Sequence, residues 1–73
     1  MYQLTDKAKD FLLNNATSRM KVAMRMSVTE QAVLKSIKRK SGGRSIANNY
    51  DGFNQLIDES GLAANELRVI SNN

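Results

Sequence analysis

Apolar residues recur three and four positions apart in short blocks, each closed by polar residues or glycine, the spacing of helices with one buried stripe. Thr5 predicts the cap of a first helix running to about Leu13, with Asp6 at its positive end. Ala8, Phe11 and Leu12 form its inward stripe, with Leu4 just before the cap. Asn14-Asn15 ends it, and Thr17 or Ser18 caps a second segment whose apolar positions are Met20, Val22, Ala23 and Met26. Thr29 caps a third, with Glu30 in its first turn and Ala32, Val33 and Ile37 inward. Lys38, Arg39 and Lys40 fall in its last turn, where the dipole favours cations, and Gly42-Gly43 closes it.

Residues 43–50 read as a polar connection with Ile46 as its apolar anchor. Asp51 caps a fourth helix with Phe53, Leu56 and Ile57 on one face, anchored by Tyr50 and Phe53, and Gly61 stops it. Leu62 leads into a last short helix carrying Leu67 and Ile70, and Ser71, Asn72 and Asn73 are expected to fray. The expected fold is all-α, a small bundle of about five short helices, with a small terminal hairpin as the open alternative.

The stretch from Val22 to Lys40 admits two readings. Val22, Met26, Val33 and Ile37 would share a face even on one unbroken helix. Ser27, Val28 and Thr29 favour a break, because their helix propensity is mediocre and Val28 would project from the wet face of a continuous helix. With a turn at 26–29, Val28 folds inward and Thr29 becomes a cap.

Composition narrows the function classes. Seventy-three residues are room for a single domain over 1–73. Neither cysteine nor histidine occurs, which removes disulfides, thiolate metal sites, the commonest zinc ligand and the commonest general base. The expectation is no enzyme, no metal, no cofactor and no small-molecule ligand. No apolar run approaches the ~20 residues of a membrane span, and the first residues are too polar for a secretory signal, so a cytoplasmic protein is expected. Charge then adds what periodicity cannot. Residues 19–44 hold eight cations against one carboxylate, a balance of +7, whereas residues 45–73 balance to −3. A central block of this kind suits a polyanion.

Ala23, Met26, Ser27, Val28, Val33 and Ile37 stand at positions whose spacing resembles the helix-turn-helix of phage Cro and repressor proteins, closest to the Cro type. The likeness covers about residues 19–38, with a small residue where the two helices cross closely and branched residues on the inner face of the second. It departs at Ser27, where the family usually carries glycine, so Ser27 must take a left-handed conformation at roughly 1–2 kcal/mol.

The resemblance implies that helix 29–40 lies in the major groove of double-stranded DNA. Gln31 would bond adenine N6 and N7, Lys35 would donate to guanine, and Leu34 would touch a thymine methyl. Glu30 has two possible roles, acceptance from cytosine N4 or a favourable charge at the helix N-terminus, the second preferred. Arg19, Thr29, Lys38, Arg39, Lys40 and Arg44 would contact phosphates. The expected protein is a small transcriptional regulator, a Cro-like repressor of phage or prokaryotic origin, acting as a homodimer on nucleoid DNA. The alternative is a small basic interaction module that binds a host protein through its Met-rich helix, where Met20 and Met26 read as core and Met24 falls off the inner face. An amphipathic helix on an anionic membrane is the weakest of the binding readings, given the low hydrophobicity of residues 19–44.

Overall fold

Three of the helix starts trace to a capping side chain next to them, at Thr5, Thr29 and Asn49. In the computed structural model, which describes residues 1–40 and 42–71, a short strand β1 (Tyr2–Leu4) leads into α1 (Asp6–Asn14). Thr5 caps α1 as expected: its hydroxyl oxygen accepts from the Ala8 amide at 3.2 Å and donates to the Glu66 carbonyl at 2.7 Å. At the other end the side-chain amides of Asn14 and Asn15 donate to the carbonyls of Asp10 and Phe11, at 2.8 and 2.7 Å. The second of those bonds satisfies one of the acceptors that the helix end leaves open.

The second helix, α2 (Ala16–Arg25), follows at once, with Asn15 at its cap position. Thr17 and Ser18 therefore lie inside its first turn instead of capping it, and the Ser18 hydroxyl donates to Glu59 at 2.9 Å. A third helix, α3 (Glu30–Lys38), is followed by α4 (Arg44–Ala47), α5 (Tyr50–Ser60), α6 (Ala64–Leu67) and a strand β2 (Arg68–Ile70). Among the described residues the fold is thus mostly helical, with six helices and a two-stranded antiparallel sheet pairing Tyr2 with Ile70, Gln3 with Val69 and Leu4 with Arg68.

The sheet corrects the all-α expectation. The last helix stops at Leu67, because Val69 and Ile70 are β-branched and the chain there pairs with β1. Ile70 is consequently exposed, while Leu67 is fully buried. Ser71, expected to fray, donates its amide to the Met1 carbonyl at 2.8 Å; the fraying expected of Asn72 and Asn73 lies outside the described residues.

Residues 43–50 are likewise more than a connection. Gly43 takes a left-handed φ of 72° and starts α4, which buries Ile46 and Ala47. A Cβ on Gly43 would meet the Leu4 side chain at 2.6 Å, so glycine there is needed for space as well as for conformation. The Leu4 amide donates to the Gly42 carbonyl at 2.7 Å. The Asn48 side chain closes the rest of this edge of β1, accepting from the Tyr2 amide at 2.9 Å and donating to its carbonyl at 2.8 Å.

The cap of α5 is Asn49, which accepts from the Gly52 amide at 2.8 Å; Asp51, expected there, sits in the first turn. Tyr50, expected as an anchor, is 83% exposed, while Phe53 and Leu56 are buried in the core and Ile57 packs half-buried against it. Gly61 ends the helix with φ 69° as expected.

One core joins Leu4, Ala8 and Leu12 to Val22, Ala23, Val33, Ile37, Ile46, Phe53, Leu56 and Leu67, with the most extensive contact between α2 and α5. Beside it, Arg68 lies between two rings, its guanidinium carbon 3.8 Å from the Tyr2 centroid and 4.1 Å from that of Phe53, and donates to the Ala47 carbonyl at 2.9 Å. This stack pins the sheet to α4 and α5. Among the described residues no helix is long and apolar enough to cross a membrane.

Candidate nucleic-acid interface

The chain breaks between α2 and α3, so Val22 to Lys40 is not one helix. Met26 donates back to the Val22 carbonyl at 3.1 Å, Ser27 to Met24 at 3.1 Å and Val28 to Ala23 at 3.0 Å. These bonds wrap the end of α2 tightly, and the chain turns because Ser27 takes φ 58°, the one left-handed non-glycine among the described residues. Thr29 then stands extended and caps α3, its hydroxyl oxygen accepting from the Ala32 amide at 3.1 Å. Ala23 is buried beneath this corner, as its small size required.

Two inward expectations fail here. Val28 is 40% exposed, and Ala32 is exposed. With α3 starting at Glu30, the positions facing the core are Val33, Ser36 and Ile37, and Ala32 falls one residue out of phase. Buried Ser36 keeps its polarity satisfied, since its hydroxyl lies 2.6 Å from that of Ser45.

The outer face of α3 carries Gln31, Lys35 and Lys38, all exposed, with Leu34 half-buried. The helix ends at Lys38. Arg39 is its C-cap with an extended ψ of 156°, so Arg39 and Lys40 continue past the helix and not in its last turn. Both are exposed. Between α3 and α4 lies an open groove of about 320 Å³, lined among others by Val28, Gln31, Ala32, Lys35, Arg39 and Ser45. The structure thus brings Thr29, Gln31, Lys35 and Arg39 to one groove, with Lys38 and Lys40 beside it on the same helix and its continuation. Ala32 and Ser45 were not singled out from sequence. Ala32 looked like an inner position, and nothing local to Ser45 signals that α4 folds against α3.

Arg19 and Arg44 stand elsewhere. Arg19 is an interior clasp: its Nε and Nη2 both lie 2.9 Å from Oε2 of Glu30, and its Nη1 donates to the carbonyls of Leu12 at 2.9 Å and Leu13 at 3.2 Å. Its side chain is 14% exposed, so it is not presented as a solvated cation awaiting a phosphate. Arg44 is half-buried on α4 and donates to the Ser71 hydroxyl at 2.6 Å.

The methionines separate as well. Met26 is half-buried against Gly52, whose missing side chain makes the space. Met24 is 75% exposed, and Met20, expected in the core, is 52% exposed. Both lie on α2 beside exposed Lys21 and Arg25, away from the buried Val22 and Ala23. No group of carboxylates among the described residues is placed to hold a metal ion. Comparison with protein-family models, curated proteins and solved structures found no match to this chain, and its own residues carry the functional argument.

Proposed function

We propose that this chain is a sequence-specific DNA-binding regulator of transcription in which α2, the corner at Ser27 and α3 act as a helix-turn-helix. Lys35, Lys38, Arg39 and Lys40 carry the reading: they are exposed along α3 and its continuation, and no ion pair holds them among the described residues. A row of unpaired cations beside a polar helix face suits phosphates flanking a groove. The left-handed Ser27 and the small buried Ala23 support it, since a crossing of α2 and α3 this tight uses both.

In this reading α3 lies in the major groove, with Gln31 and Lys35 at base edges. Lys38, Arg39, Lys40 and the Thr29 hydroxyl contact the backbone and fix position without reading sequence. Two copies bind a two-fold site, and occupancy blocks the polymerase. Leu34 is half-buried and is left to packing.

The test is affinity for duplex DNA across salt concentrations. Three cationic phosphate contacts give a log–log slope of about −2.7. A slope near zero at measurable affinity would falsify the proposal. A second reading rests on Met20 and Met24, whose exposure beside Lys21 and Arg25 offers a partner protein a mixed apolar and basic surface on α2. It takes over if the chain binds no DNA and Met24→Ser abolishes association with a partner.

A further inference from the structure

Arg19 spends two donors on one oxygen of Glu30. Nε and Nη2 both reach Oε2 at 2.9 Å, and among the described residues no donor meets Oε1. The guanidinium cannot swing away to serve elsewhere, because Nη1 is fastened to the last carbonyls of α1 at Leu12 and Leu13. Three helix ends therefore meet at this group: the C-terminus of α1, the start of α2, and the first residue of α3. Glu30 keeps 35% of its side chain exposed and immediately precedes Gln31.

We infer that Arg19 is a positioning residue that holds Glu30 as a cytosine-selecting acceptor, an assignment that rests on α3 being the major-groove helix. A lone carboxylate between phosphates is repelled, but one paired with a guanidinium is neutral as a unit. Its remaining oxygen only accepts hydrogen bonds. In the major groove guanine offers the acceptors O6 and N7, and thymine offers O4 and a methyl group, so neither suits it. Adenine has an N6 donor, but the N7 acceptor beside it faces the same oxygen. Cytosine presents N4–H₂ with no neighbouring acceptor, and a fixed single acceptor therefore picks cytosine.

Selection of sites from randomised duplexes tests this, with the intact chain, Glu30→Gln, Arg19→Met, Arg19→Lys and the double variant Arg19→Met/Glu30→Gln. The intact chain should require cytosine at one position per half-site, with about 10- to 100-fold discrimination. Glu30→Gln should move that position to guanine, because the amide oxygen stays on the fastened guanidinium and the NH2 left facing the groove donates to O6 or N7. Arg19→Met should weaken the cytosine preference about tenfold while leaving the other positions ranked as before, and Arg19→Lys should restore part of it. The double variant should discriminate no worse than the weaker single variant, as expected of two residues acting through one contact.

Adenine chosen by the intact chain overturns the inference. So does cytosine retained by Glu30→Gln, or an Arg19→Met variant that weakens every position equally, the mark of a merely structural clasp. Glu30→Gln conserves size and polarity, so it decides the matter even if Arg19→Met fails to fold. Loss of the DNA reading itself looks different: the intact chain then shows no salt-sensitive binding to any duplex.

Discussion

The molecule handles its cations in two ways. On the side where α1 meets α6 and the sheet, and along the α2–α5 contact, most cations have partners: Lys7 with Glu66 at 3.5 Å, Lys9 with Asp6 at 4.0 Å, Lys21 with Glu59 at 3.8 Å, and Arg68 stacked on two rings, with Arg25 on α2 the exception among the described residues. Along α3 and just beyond it, Lys35, Lys38, Arg39 and Lys40 have no ion pair among the described residues. Exposed pairs of the first kind contribute about 0–1 kcal/mol each, so the stability at stake in either arrangement is small. The second arrangement, like charges gathered within two turns, is mildly unfavourable to the fold. A cluster that does nothing for the chain's own stability is what the proposed DNA-binding role would draw on.

The sharpest way to break this contrast is to neutralise the unpaired row. The variant Lys35→Gln/Lys38→Gln/Arg39→Gln/Lys40→Gln should lose more than about 100-fold in duplex affinity at low salt, and its salt slope should flatten by about 3 units. Its melting temperature should hold or rise, since surface changes of this kind stay within about 0.5 kcal/mol. A collapse in melting temperature would place these cations in the fold after all.

The opposite cut is made on the other side. Arg68→Ala removes two ring contacts and the hydrogen bond to the Ala47 carbonyl, at a cost of about 1–3 kcal/mol. For a domain of this size that is a fall of roughly 5–15 °C, readable by circular dichroism. DNA affinity measured well below the transition should stay within about twofold of the intact chain, because uniform destabilisation leaves the folded population nearly complete. A large loss of affinity would show that the sheet side and the α3 side are not separate.

Much of the corner on which this contrast turns was legible in the sequence, because its signals are local. The Thr29 cap binds three residues on, the left-handed Ser27 follows from where the family's glycine would stand, and Val33 and Ile37 face inward by helical spacing alone. Other features depend on residues far apart along the chain. Nothing around Arg68 announces that Tyr2 and Phe53 will close on it, or that Ala47 will accept from it. Strand β2 exists because β1 lies beside it; its three residues would otherwise suit the helix that periodicity predicted. The resemblance makes Arg19 a phosphate contact at the start of the motif, yet opposite charge eleven residues on, across a turn, is the available sign of its tie to Glu30.

The smallest effect concerns Glu66, on the paired side. The Ala63 amide donates to its carboxylate at 3.1 Å and, with the charge of Lys7, holds its carboxyl below the ordinary glutamate range. The unfolded chain therefore takes up this proton at higher pH than the folded one. The stabilisation is present above the unfolded value and is lost as pH falls through the folded one. Comparing the melting of the intact chain with Glu66→Gln should show a slight advantage at neutral pH that disappears in acid. An advantage that persists in acid would mean the carboxylate charge plays no part.

Asn48 has a consequence beyond the single chain. Two-stranded sheets offer two edges to passing strands, and repeated addition at both is how fibres grow. Here the Asn48 amide occupies both the N–H and the carbonyl of Tyr2, and the Gly42 carbonyl occupies the amide of Leu4. These bonds close most of the outer side of β1, so a foreign strand meets less obstruction at β2. Two molecules meeting there would form a four-stranded sheet with a mostly closed β1 at each margin. Such an assembly is hindered from growing beyond two, and one asparagine does much to limit its size.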